Sequence, residues 1–263
     1  MLFRSHEVEK PVGGVVILHG YCEHSLRYPH VVEALNKADL NAYLLDHRGH
    51  GRSEGPRAAV LRFEEYLEDL DIFLRRVREQ YQGPLFLLGH SMGGLIAATY
   101  ALRRKPQVAG VVLSSPYLGL KIPLPFYKAL AGRLISRLLP QANITSELSP
   151  SLLTHDQAIV ADYISDPDVP KIANTRWFTE ASAAQAYCQA QAHTLGMPLL
   201  LMHGGDDRIA DPDQSRRFIS RVNRPDAKIV ILDGLYHEIF NEIGREAVIK
   251  AAVDWILERA VKE

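Results

Sequence analysis

Short apolar runs alternate with stretches of helical period along most of this chain, and that alternation limits its fold more than any other feature. Val15–Leu18, Leu40–Leu45, Pro84–Leu88, Val108–Leu113, Leu199–Met202 and Lys228–Leu232 are short apolar runs of strand character. Between the early ones, Tyr28, Val31, Val32, Leu35 and Ala38 keep a helical period. So do Phe63, Tyr66, Leu67, Leu70, Phe73, Leu74 and Val77. The chain closes on a helix whose inner face is expected to carry Ala247, Val248, Ala251, Trp255 and Ile256. Runs with no polar face belong to strands buried on both sides, and strands separated by helices join through right-handed crossovers. The pattern predicts an α/β protein with a mostly parallel central sheet and helices on both faces.

One stretch breaks the alternation. From Tyr117 to Gly196 no strand stands out, several prolines occur, and helical segments follow one another. Roughly 80 residues is far more than a crossover needs. Residues 117–196 are therefore expected to form a helical cap inserted into a core made of residues 1–116 and 197–263. The alternative is a set of ordinary outer helices on a larger sheet.

Composition excludes some classes of function. Thirty Lys and Arg stand against thirty-one Asp and Glu, which argues against nucleic-acid binding through overall charge. Cys22 and Cys188 are the only cysteines, too few for a disulfide framework. The opening MLFRSHEVEK lacks the apolar core of a signal peptide, and no apolar run approaches the ~20 residues that span a bilayer. A cytoplasmic protein is expected, with peripheral membrane contact left open. His47-Arg48-Gly49-His50 lacks a further ligand set, so no metal is expected. Asp46 and Arg48 are read as structural hydrogen-bonding groups of that loop.

The chemistry is written at Gly89-His90-Ser91-Met92-Gly93-Gly94. Leu85-Phe86-Leu87-Leu88 enters this G-x-S-x-G block as a strand, and Leu95-Ile96-Ala97-Ala98 leaves it as a helix. Glycines on either side let backbones pack closely, so Ser91 can sit at the tip of a sharp turn with the new helix's amides aimed at developing negative charge. A phosphate-binding loop would need Lys after the last glycine, where Leu95 stands. A serine hydroxyl needs a base. For a nucleophile on such a turn, the acid and then the base follow later strands. His237 comes after Lys228–Leu232 and is the candidate base, with His203 after Leu199–Met202 as its competitor. Asp206 and Asp207 both follow that earlier strand. Asp207 fits G-x-x-D-x-I and is the candidate acid, with Asp206 capping or tightening the turn. The backbone N–H groups of Met92 and of Tyr21, in the loop after Val15–Leu18, are the candidate oxyanion donors.

His19-Gly20-Tyr21-Cys22-Glu23-His24 with Arg27-Tyr28, then Asp46-His47-Arg48-Gly49-His50-Gly51-Arg52-Ser53, then the Ser91 block, resemble the monoacylglycerol lipase and lysophospholipase branch of the α/β hydrolases. Asp207-Arg208 and Tyr236-His237 fall where that branch keeps its acid and base, and Tyr163-Ile164-Ser165-Asp166-Pro167 is similar to one of its cap motifs. The likeness runs from about residue 12 to the C-terminus and is weak through the cap. It implies the α/β-hydrolase fold and hydrolysis of a glycerol or lysolipid ester without a cofactor. It also implies that Glu23 and Arg27 lie at the polar end of the acyl tunnel as substrate-binding residues; the alternative is a salt bridge that holds the loop. The chain departs from the branch in three places. Cys22 replaces a usual second glycine, which would add on the order of 1 kcal/mol of strain if φ is positive there. The short N-terminus has room for one strand before Val15. Glu238-Ile239-Phe240 lacks a polar headgroup partner sometimes found after the base.

Residues 118–139 hold Lys121, Lys128, Arg133 and Arg137 and no acid, with Tyr127, Leu130, Leu134 and Leu138 at helical spacing. This segment is read either as a cap helix with a solvated basic face or as a transient contact with an anionic membrane. Rival readings of the whole are a short-chain carboxylesterase or perhydrolase, and a non-catalytic binding protein on the same fold.

Overall fold

The computed structural model describes residues 2–122, 132, 135–140, 142–145 and 149–261. Seven strands form the main sheet: β1 (Leu2–His6), β2 (Gly13–Leu18), β3 (Leu40–Asp46), β4 (Leu85–His90), β5 (Gly110–Ser114), β8 (Leu199–Gly204) and β9 (Ala227–Leu232). Their order is β1-β3-β2-β4-β5-β8-β9, and every pairing is parallel except β1 with β3. All the strands expected from apolar runs are present. β2 to β5 and β8 are buried along their whole length, which is why they read as unbroken apolar runs. The edge strand β9 is only half buried.

Helices cover both faces. Helix α1 (Pro29–Lys37) and helix α7 (Arg245–Ala260) pack on one side, around Ile17, Leu44, Phe86 and Trp255. Helix α2 (Glu64–Gln80) and helix α3 (Met92–Arg104) lie on the other, around Val16, Leu45, Leu87 and Leu113. The α2 stripe from Tyr66 to Val77 is buried as its period predicts. The inner face of α7 is shifted from its expected position. Val248, Ile249, Ala252, Val253, Trp255 and Ile256 are buried, whereas Ala247 and Ala251 face solvent. Alanine suits either face of a helix, so it carries little information about orientation.

Between β5 and β8 the chain forms β6 (Asn143–Thr145), helix α4 (Gln157–Ser165), β7 (Ile172–Asn174) and helix α5 (Thr175–Gln191). β6 and β7 pair antiparallel in a ribbon of their own, apart from the main sheet. Strands of three residues are too short to show alternation, so the sequence pattern missed them. Helix α6 (Pro212–Ile219) joins β8 to β9. Lys128, Arg133, Tyr127, Leu130 and Leu134 of the basic stretch lie outside the described residues.

This topology locates the site. β2 has β3 on one side and β4 on the other, so the chain reverses its direction of winding between β2 and β4. A crevice opens at the carboxyl ends of strands where winding reverses. The loops that follow β2 and β4 carry Tyr21 and Ser91.

Candidate active site

Ser91 joins β4 to α3 with φ 50° and ψ −114°, a conformation that costs a non-glycine residue on the order of 1–3 kcal/mol. The surroundings hold it there. Its N–H donates to the Ser114 carbonyl at 3.0 Å, and its own carbonyl accepts from Leu95 and Tyr117 at 3.0 and 2.9 Å. A Cβ on Gly93 would run into the carbonyls of Leu18 and His19, and one on Gly89 into the carbonyl of Gly93. The flanking glycines thus let α3 press against the ends of the strands.

Three side chains meet at this tip. Ser91 Oγ lies 2.8 Å from His237 Nε2, and His237 Nδ1 lies 2.7 Å from Asp207 Oδ2. Asp207 Oδ1 accepts from the N–H groups of Ile209 and Ala210 at 2.8 and 3.0 Å, so the carboxylate cannot turn freely. Burial alone would lower the pKa of His237. Asp207, through its charge and its hydrogen bond, and then Glu238 and Glu23 outweigh burial and raise it above 6.5. Burial would raise Asp207, but the two histidines beside it hold it well below the usual carboxylate range. The ring of His90 lies 4.9 Å from that of His237 and is kept neutral, burial pushing its pKa down to about 3.

The competing residues fall elsewhere. His203 is fully buried and meets the same Asp207 oxygen as His237, its Nε2 3.1 Å from Oδ2. Asp206 is exposed, and its backbone N–H donates to Leu235 at 3.0 Å, which ties the β8 turn to the loop after β9.

The loop after β2 is fixed from several directions. The Tyr21 hydroxyl donates to the Ala58 carbonyl at 2.7 Å and accepts from Asn174 N–H at 3.1 Å. Its ring stacks on Trp177 with centroids 3.8 Å apart. Trp177 is itself placed by Asn174, which caps α5 by accepting the Trp177 N–H at 2.9 Å. Among the described residues, neither the Tyr21 nor the Met92 amide donates to a protein acceptor. Cys22 has φ 56°, the left-handed backbone in which a side chain is strained. Its buried thiol donates to the Ile172 carbonyl at 3.3 Å, and burial pushes its pKa up to about 12, so it is no thiolate.

Glu23 and Arg27 do form a salt bridge, at 3.0 Å, but within a larger cluster. Glu23 Oε1 accepts from the Gly20 N–H and, at 2.7 Å, from the Tyr28 hydroxyl. Arg27 grips Glu238 through two bonds of 2.7 and 2.9 Å and lies over the ring of Tyr163. Burial pushes the Glu23 carboxyl upward. For Glu238 the Arg27 charge overcomes burial and holds it down. Glu238 is the site residue that the sequence reading lacks: its segment reads as having no polar partner, whereas the structure pairs it with Arg27. The signal available was an acid directly after the candidate base, with no cation near it in sequence. A further contact, His24 Nε2 to Asp166 at 2.8 Å, joins this loop to the Tyr163–Pro167 segment.

Beside Ser91 lies a cavity of about 220 Å³. Leu120, Leu153, Tyr163, Trp177 and Phe178, all from the stretch between β5 and β8, form much of its apolar wall. Glu23, His90 and Glu238 line it as well. In the Asp46–Ser53 loop, Arg48 pairs with Glu65 and Asp69 at 2.6 Å each, and Asp46 accepts from the Ser25 N–H at 2.9 Å. Among the described residues, no group of three or more His, Cys, Asp or Glu is arranged to hold a metal ion. A hydroxyl beside an imidazole, a carboxylate bonded to that imidazole's other nitrogen and two amides without protein acceptors are the parts that acyl transfer requires.

Residues 9–244 match the family described as serine aminopeptidase, S33 (Hydrolase_4). The chain is 32% identical over 249 residues to phospholipase YtpA of Bacillus subtilis, covering 94% of this chain and 95% of that protein. It is 33% identical over 249 residues to a monoacylglycerol lipase of Mycolicibacterium smegmatis, covering 94% of this chain and 89% of that one. The crystal structure of a monoacylglycerol lipase from Paleococcus ferrophilus superimposes with a TM-score of 0.90 at 31% identity, over 98% of this chain and 100% of that chain.

Proposed function

The chain belongs to the Hydrolase_4 (serine aminopeptidase, S33) family and is a monoacylglycerol lipase-like serine hydrolase of the α/β-hydrolase fold, and we propose that it cleaves monoacylglycerols through an acyl-enzyme on Ser91. The observation that carries this reading is the unbroken hydrogen-bond chain from Ser91 through His237 to Asp207 at the wall of a largely apolar cavity.

In this reading His237 Nε2 takes the Ser91 proton as Oγ attacks the ester carbonyl. The amides of Tyr21 and Met92 hold the oxyanion, and their freedom from protein acceptors supports that role. Asp207 fixes the imidazole's tautomer and stabilises the imidazolium. The tetrahedral intermediate collapses as His237 returns the proton to the leaving glycerol oxygen. Water, deprotonated by the same imidazole, then releases the fatty acid and regenerates Ser91. Residues 117–196 act as the cap, which is supported by the wall they give the cavity. The Glu23–Arg27–Glu238 cluster forms the polar end. Its carboxylates and guanidinium are occupied with one another, so the first duty of Glu23 and Arg27 is to hold the loop. Ile122, Leu138, Leu139 and Ile144 are exposed in the cap, and Arg137 is exposed beside them. They support a transient docking of this face on anionic lipid. Flotation with anionic vesicles at low salt tests that docking, and an unbound protein would refute it. No helix among the described residues is long and apolar enough to cross a membrane.

The cavity volume favours a second reading, because small-molecule sites usually run to ~300–1,000 Å³. A short-chain carboxylesterase needs less room than a lipase. Hydrolysis of 1-monoacylglycerols of graded chain length by the wild type and Ser91→Ala separates the two. The proposal expects turnover that peaks at medium or long chains and is lost in the variant. Activity confined to short esters would discard the monoacylglycerol assignment.

A further inference from the structure

Among the buried histidines that the reaction described above does not use, His203 hydrogen-bonds directly to a member of the triad. His203 is the fifth residue of β8, fully buried, and touches neither the cavity nor Ser91. Its two ring nitrogens have different surroundings. Nε2 faces two acceptors, Asp207 Oδ2 at 3.1 Å and the Ala210 carbonyl at 3.4 Å. Neither can donate, so Nε2 must carry the proton. Nδ1 faces the Ser215 hydroxyl of α6 at 2.8 Å. A hydroxyl can donate to Nδ1 or accept from it, so the Nε2–H donor to Asp207 stands whichever way Ser215 turns.

Asp207 therefore sits between two histidines. Both its Oδ1 bonds go to backbone amides, and both its Oδ2 bonds go to imidazoles, one of them His237 at 2.7 Å. The carboxylate has no acceptor site to spare and no freedom to rotate. A continuous line of bonds runs from Ser215 on α6 through His203, Asp207 and His237 to Ser91.

We infer that His203 is a positioning residue of this site, which holds the acid of the triad through an Nε2–H···Oδ2 bond and divides the charge on the oxygen that His237 uses. This inference rests on the triad reading given above. Two consequences follow from sharing Oδ2. The oxygen stays aimed at His237 Nδ1, so the base keeps its orientation during turnover. The donor also draws off part of the negative charge that stabilises the His237 imidazolium. Without it the imidazolium is held more tightly, and the base becomes neutral only at higher pH. The other groups around His237 stay in place when His203 is replaced. They are His90 from β4, Glu238 from its own loop and Glu23 from the loop after β2, with Arg27 bridging the two glutamates.

A histidine that only filled space would show none of this. His203→Phe keeps a ring of similar shape and removes the donor, while His203→Gln keeps an N–H donor. For His203→Phe, kcat/KM on a monoacylglycerol should fall on the order of ten- to a hundredfold, the range for losing a hydrogen bond to a charged group. The acid limb of its pH profile should move up by about half a unit to one unit. His203→Gln should recover much of the loss and bring the acid limb back toward the wild type. A wild-type acid limb and kcat/KM in His203→Phe would overturn the inference. Should the wild type turn over no ester, the triad reading fails first, and a separate measurement on the resting protein still decides the placement of His203. Nitrogen-15 histidine NMR of the wild-type protein should show the His203 proton on Nε2. A neutral His203 protonated on Nδ1 would leave Asp207 without that donor and refute the assignment.

Discussion

Replacing Arg27 with methionine would test how the polar end of the cavity is held together. Methionine keeps much of the apolar stem and removes the guanidinium. Arg27, Glu23 and Glu238 are each less than a tenth exposed, so solvent cannot replace the lost partner. Glu238 would lose bonds of 2.7 and 2.9 Å and keep only the Asn241 amide at 2.8 Å among its side-chain partners. Glu23 would lose one bond of 3.0 Å and keep the Gly20 N–H and the Tyr28 hydroxyl. Breaking a buried ion pair by removing one partner costs about 3–5 kcal/mol. At roughly 2 °C per kcal/mol for a chain of this size, Tm should drop by about 6–10 °C. The deficit should also depend on pH with a definite sign. In the wild type Arg27 holds Glu238 below the ordinary glutamate value, so its stabilisation is present above that value and lost as pH falls through the folded pKa. In the variant, burial without Arg27 raises both carboxyls, so the folded state takes up protons that the unfolded state does not. Both effects make the deficit largest near neutral pH and smaller in acid. Urea unfolding of both proteins at about pH 5 and about pH 8 would measure it. Arg27→Met/Glu238→Gln, with one carboxylate fewer, should regain part of the loss. A deficit under about 1 kcal/mol, or one equal at the two pH values, would refute the reasoning.

Three further outcomes follow from the same structure. Because His237 is raised above 6.5, kcat/KM should rise with pH through an inflection above that value, and an inflection below about 6 would contradict it. His19, His47, His50 and His90 are held neutral by burial, with His47 and His90 pushed down to about 3 and His50 to about 4. Unfolding below 6.5 therefore takes up protons, and stability should fall as pH drops. The slope should reach up to about 5 kcal/mol per unit near pH 5, since each histidine adds about 1.4. Denaturant midpoints that stay flat from about pH 7 to about pH 5 would be inconsistent with this. Gly93→Ala should lower kcat on the order of a hundredfold or more, since its Cβ meets the Leu18 and His19 backbone and must open the turn that carries Ser91. Gly196→Ala has open space around it and serves as the folded control.

Much of this molecule was readable from its sequence, for identifiable reasons. Fully buried strands such as Val15–Leu18 and Leu199–Met202 announce themselves because neither face can carry a polar group. The turn at Ser91 is readable because its glycines meet a steric demand that no other residue satisfies. Asp207 and His237 follow from strand order, which decides which loops end up beside Ser91. Side-chain direction was harder to read. His203 also lies at the end of a strand, and only three dimensions show that it shares Asp207 Oδ2 with His237. Glu238 is next to His237 in sequence, yet its partner is Arg27, more than two hundred residues away, and no local pattern encodes that meeting. The β6–β7 ribbon and the orientation of α7 were missed because short strands and alanines leave a weak signal.

The central claim is that Ser91 is the nucleophile and that His237 activates it. An alkyl fluorophosphonate tests this most directly, because it reacts with an activated serine and needs no knowledge of the substrate. The wild type should take one label per chain, mapped by mass spectrometry to the peptide containing Ser91. Ser91→Ala should take none, and labelling of His237→Ala should be slowed by several orders of magnitude. A label on another residue, or equal labelling of the wild type and His237→Ala, would contradict it.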